Sequence, residues 1–150
     1  MELEGQADLM RQLERIISEI GSGNVEIGFF GGTYEHEEGE KPVEVVHVAI
    51  WNEFGIPSKN QPPRPFFRRM IAENQSSWLN LAAFAVQSNP GNGTAALGFI
   101  GEQIRGQLQE SIKTFTEPAL DESTIRAKGH SKPLEDTHTM LNSVTYRVNE

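Results

Sequence analysis

The chain has 150 residues, 37% hydrophobic and 23% charged, with no cysteine and a formal net charge of -8. That length suits one ordinary domain over residues 1–150, and the composition lies outside the disordered class. The missing cysteines exclude disulfides and thiolate metal sites, and the acidic balance argues against a surface that binds nucleic acid broadly, since phosphate contacts need Lys and Arg.

Met1-Glu2-Leu3-Glu4 is acidic and lacks the features of a signal peptide. Over residues 3–20, Leu9, Met10, Leu13, Ile16, Ile17 and Ile20 recur at helical spacing, and Gly21 and Gly23 stop the helix. Asn24 to Phe30 reads as a strand, with Val25, Ile27 and Phe29 on one side. Residues 33–42 read as an acidic loop carrying Glu35, Glu37, Glu38, Glu40 and Lys41. Val43 to Phe54 carries both signals: valines favour a strand, while Val46, Ile50 and Phe54 at steps of four favour a helix, which is the reading taken.

Residues 55–65 form a loop shaped by Pro57, Pro62, Pro63 and Pro65. Pro65 suits the first position of a helix running to about Val86, with Phe67, Met70, Ile71, Trp78, Leu81, Ala82 and Ala85 on its apolar face. The stretch Leu79 to Val86 is far too short to span a bilayer, so a soluble protein is expected. Gln87 to Thr94 is the clearest turn. The next helix carries Leu97, Ile100, Ile104, Leu108, Ile112 and Phe115 as one stripe and ends by Pro118. A short helical turn is expected near Asp121 to Ala127. Asp136 or Thr137 can cap a short helix holding Met140 and Leu141. Ser143 to Val148 reads as the last strand. Together these elements predict an α+β fold, with a small antiparallel sheet packed against two or three long helices.

No catalytic constellation converges. The histidines His36, His47, His130 and His138 fall in no zinc-binding pattern, and neither a nucleophile elbow nor a phosphate loop is present. Gly31-Gly32-Thr33 lacks the spacing and the Lys of a phosphate cradle, and no cofactor is expected. His36 among Glu35, Glu37 and Glu38 could in principle hold a divalent cation, which keeps a metal-dependent hydrolase as an alternative; a solvated acidic loop is the plainer reading.

Three stretches carry more information. Trp51-Asn52-Glu53-Phe54-Gly55 is either a terminating helix or a protein–protein contact, as Trp is enriched at binding hot spots. Pro62-Pro63-Arg64-Pro65-Phe66-Phe67-Arg68-Arg69 is either a pre-helix loop or a stiff arm whose Arg64, Arg68 and Arg69 grip a neighbour. Lys132-Pro133-Leu134-Glu135-Asp136-Thr137 by itself is a cap.

In this order, with Thr124-Ile125-x-x-Lys128-Gly129 between the last two, these motifs resemble the minor structural proteins of tailed bacteriophages: the tail-completion or head–tail joining proteins of lambda-like siphophages. The likeness spans about residues 24–148. Two positions depart from it: Ile56 follows Gly55 where the family often has Thr, and His138 stands where it often has Gly.

The resemblance implies a non-enzymatic virion component of the neck, made in the host cytoplasm. It would be a homo-oligomeric ring, such as a hexamer, around the DNA exit path. Its partners would be sister subunits, the connector, the terminator and the tail tube, and DNA would pass through the lumen without sequence-specific binding. Tail termination, head closure and an assembly chaperone remain open within that class, and a small nucleic-acid module built on Arg64, Arg68 and Arg69 outside it.

Charge adds a detail. Residues 35–44 carry five Glu and one Lys, whereas 59–69 carry Lys59, Arg64, Arg68 and Arg69 with no acid. A ring needs two different faces that meet, so the acidic loop of one subunit could face the basic arm of the next; the plainer expectation is that both segments are solvated or pair within one chain, and a further one is that the acidic loop lines the lumen.

Overall fold

The computed structural model describes residues 2–31, 33–34, 43–114 and 138–150. Helix α1 spans Glu2–Ile20 and strand β1 spans Asn24–Phe29. The short strands β2 (Thr33–Tyr34) and β3 (Val43–Glu44) pair antiparallel, so the expected acidic loop is entered and left through a small ladder. Helix α2 (Val45–Phe54) follows at once, which settles the ambiguous stretch as two residues of strand and ten of helix. A 3-10 turn at Pro57–Lys59 leads to α3 (Phe66–Asn74). After a second 3-10 turn at Gln75–Ser77 come α4 (Trp78–Ser88) and α5 (Gly93–Thr114). Helix α6 (His138–Asn142) and strand β4 (Val144–Asn149) complete the described chain.

Strands β1 and β4 form a two-stranded sheet. Asn149 bonds Asn24 while Arg147 bonds Glu26, so the strands run antiparallel. The fold is α+β: mostly helical, with a small antiparallel sheet packed against long helices. By its contacts the chain divides into two compact units. The first comprises residues 1–27, 74–104 and 146–150, the second 28–73 and 105–145.

In the first unit α1 packs on α4, and Ala85, Val86, Ala96, Leu97, Ile100 and Ile104 are buried. Asn92 caps α5 through its side-chain oxygen, which accepts from the Ala95 N–H at 3.0 Å. In the second unit Val45, Ala49, Phe66, Met70, Leu108, Ile112, Met140 and Val144 form the core. The α5 stripe read from the sequence is buried at Leu97, Ile100, Ile104, Leu108 and Ile112. Phe115, the helical turn near 121–127 and the Asp136/Thr137 cap lie outside the described residues.

One expected helix, from Pro65 to Val86, is two. Asn74-Gln75-Ser76-Ser77 interrupts it, and the Ser77 hydroxyl donates to the Asn74 carbonyl at 2.8 Å. Short polar side chains that bond the local backbone compete with helix propagation. The break falls where the chain passes from the second unit to the first.

Gly101 lets α5 lie close to the sheet. A Cβ there would sit 2.6 Å from the Tyr146 ring and 2.9 Å from Val25 Cγ2, whereas one at Gly106 would meet nothing within 4 Å. We expect Gly101→Ala to lower stability by roughly 1–3 kcal/mol through overpacking. Gly106→Ala, in the same helix, should raise it by about 0.5–1 kcal/mol. Urea denaturation of the two variants checks both signs.

Candidate functional site

Helix α2 ends where α3 begins, and the two motifs that stood out in the sequence meet there. The end of an α-helix leaves carbonyls without intrahelical partners, and its start leaves N–H groups. Here part of each set finds partners on the other segment and the rest locally. At the end of α2, the Trp51 carbonyl accepts from the Gly55 N–H at 2.8 Å and the Asn52 carbonyl from the Arg64 N–H at 2.6 Å. The Glu53 carbonyl accepts from Arg68 Nη2 at 2.9 Å. At the start of α3, the N–H of Phe66 donates to the Arg64 carbonyl and that of Arg69 to the Pro65 carbonyl. The two N–H groups between them, Phe67 and Arg68, donate to Glu53 Oε2 and Oε1 at 2.9 and 3.0 Å.

Glu53 is therefore the cap of α3, supplied from another helix. Its carboxylate also accepts from Arg68 Nε at 2.9 Å, and the residue is only 6% exposed. A carboxylate at a helix N-terminus gains from the macrodipole, and a cation at a C-terminus gains likewise. Glu53 and Arg68 satisfy both conditions at one junction. The Arg68 guanidinium also lies 4.8 Å from the Phe54 ring centroid, within cation–π range.

The connection between the motifs is tight. Gly55 has φ +75°, and a Cβ there would fall 2.7 Å from both the Gln61 carbonyl oxygen and the Pro63 nitrogen. Pro62 and Pro63 bring no N–H groups to this crowded spot. The Phe66 ring is buried and meets Phe29 edge-on, with centroids 6.3 Å apart.

Glu53, Arg64 (8% exposed) and Phe66 are interior groups of the second unit, not contact residues at its surface. The arginine arm is engaged within the chain: Arg68 bonds Glu53, and Arg69 bonds Glu73 at 3.1 Å. Arg68 and Arg69 remain about half exposed, whereas Arg64 is buried. What α2 does present outward is Ile50, Trp51 (44% exposed) and Phe54 (60% exposed), with His47 stacked on Trp51 at 6.4 Å. Asn52 is half-buried and holds the Val48 carbonyl, while Pro62 and Pro63 are exposed.

Glu35, Glu37, Glu38, Glu40, His36, Asp136 and Thr137 lie outside the described residues, as do the motifs at 124–129 and 132–137. Among the described residues no group of three or more His, Asp or Glu side chains is placed to hold a metal ion. No described helix is long and apolar enough to cross a membrane. No family model, curated protein or solved structure matches the chain at a significant level.

The geometry ranks two truncations. Glu53→Ala strips the cap from two N–H groups as well as the ion pair and should cost about 2–4 kcal/mol. Arg68→Ala removes a half-exposed partner and should cost about 0.5–1 kcal/mol. Chemical denaturation of the single and double variants tests that order, and equal costs would mean that the Glu53 bonds to the backbone contribute nothing.

Proposed function

We propose that the chain is a non-enzymatic structural protein of a tailed-phage neck, forming a ring that completes the tail and joins it to the head connector around the DNA exit path. In this reading it is made in the host cytoplasm, ends in the virion and works by contact alone. The motif order supports the class.

The observation that carries the contact role is the two-sided apolar character of α2. Val45, Ala49 and Glu53 point into the second unit, while Ile50, Trp51 and Phe54 lie exposed on the other side of the helix. A helix apolar on both sides is normally buried on both, and large exposed aromatics are the residue types that anchor protein interfaces. The α2–α3 junction holds this face still, so little ordering entropy would be lost when a neighbour covers it.

A closed ring needs this face to meet a different surface on the next subunit. In this reading the charge of the basic arm is secondary, since Arg68 and Arg69 each bond a carboxylate within the chain. Apolar contact through α2 takes its place.

Native mass spectrometry and negative-stain electron microscopy of the purified protein test the reading. A closed oligomer with a central hole is expected. Ile50→Asp with Trp51→Asp should reduce it to monomer and shift the melting temperature by only about 1–2 °C, the size of an ordinary surface change. A wild-type protein that stays monomeric at high concentration contradicts the proposal.

A further inference from the structure

The first unit has a surface of its own. Helices α1 and α4 bound a shallow groove of about 140 Å³, with Ile16, Ala83 and Val86 among its apolar lining and Arg11, Arg15 and Gln87 supplying the polar part. Small-molecule pockets usually begin at about 300 Å³, so this groove is too small for a metabolite and suits one aliphatic side chain.

Arg11 and Arg15 are one turn apart on the same face of α1, where like charges repel. Asp8, Glu14 and Glu19 are within helical reach by spacing, yet neither arginine has a carboxylate at ion-pair distance among the described residues. Glu19 instead accepts from the Gly91 N–H at 3.1 Å. By contrast, Arg68, Arg69 and Arg147 each bond a carboxylate. In a chain of net charge -8, two guanidinium groups left this way beside an apolar floor are the described site with a clear complement.

We infer that the α1–α4 groove docks an acidic peptide segment of a partner protein, one aliphatic side chain resting on Ile16 and Ala83 while flanking carboxylates engage Arg11 and Arg15. Arg forks pair bidentately with carboxylates, and Arg clusters recur where acidic motifs are recognised. The small apolar floor sets this site apart from a phosphate-backbone surface, which gains nothing from Ile16 or Ala83. The inference does not rest on the neck reading, because it concerns a different face of a different unit.

The probe is the blocked peptide Glu-Glu-Leu-Glu-Glu, titrated into the full chain while backbone amide shifts are followed by NMR. Shifts confined to α1 and α4 are expected. The Gln-Gln-Leu-Gln-Gln and Glu-Glu-Gly-Glu-Glu peptides should each bind at least tenfold more weakly. Arg11→Glu with Arg15→Glu should abolish binding while leaving the remaining amide spectrum native, and the double Lys variant should retain part of it.

Equal binding of the Gln peptide, or unchanged binding by the double Glu variant, overturns the inference. So does a 20-base-pair DNA duplex that moves the same amides at lower concentration than the peptide. Concentration-dependent shifts of these amides without peptide overturn it in favour of self-association. A monomeric protein that still binds the peptide through Arg11 and Arg15 would sink the ring proposal and leave this inference standing.

Discussion

The end of α2 and the start of α3 meet at the Glu53 carboxylate, and much of the second unit's geometry depends on how that meeting is satisfied. A helix C-terminus offers carbonyls and a partial negative charge; an N-terminus offers N–H groups and a partial positive charge. Buried polar groups left unpaired cost of order 1–3 kcal/mol each, so two helix ends can approach only if their orphan groups are matched. Glu53 takes two N–H groups of α3, and Arg68 returns a guanidinium to the α2 carbonyl of the same glutamate. The exchange is reciprocal, and it leaves the first turn of α3 fully satisfied.

From that junction the motif residues acquire separate tasks. Gly55 provides the left-handed turn and the close approach, Pro62 and Pro63 cross it without N–H groups, and Phe66 fills the core against Phe29. What remains outside is an apolar edge of α2 that no described element covers. The division of labour separates residues that build the platform from those that are offered on it, and the proposed contact belongs to Ile50, Trp51 and Phe54 alone.

The helices and strands were legible because periodicity is a strong signal. The α5 stripe is five buried residues in regular steps, and β4 alternates as its sequence does. The break between α3 and α4 was less legible, since the apolar positions continue across it and only Asn74 to Ser77 mark it. At the junction, the residue types announced something unusual but not which role each played. A Glu between Asn and Phe reads as exposed by type, because a cap is normally sought a few residues before its helix, and Glu53 caps a helix more than ten residues downstream. Charge counts are limited in the same way: they show how many cations a segment has, not how many are already engaged. An exposed pair such as Arg11 and Arg15 on an amphipathic helix has the pattern of a solvated face, and only the packing of α4 shows the apolar floor beside it.

Amide hydrogen exchange at Phe67 and Arg68 tests the junction most directly. First-turn N–H groups have no intrahelical acceptor, so their protection can come only from the Glu53 carboxylate. The account predicts that both amides are protected in the native protein and that Glu53→Gln weakens that protection while the α5 amides around Ile104 keep theirs. Exchange at Phe67 and Arg68 as fast as in an unstructured peptide would contradict it.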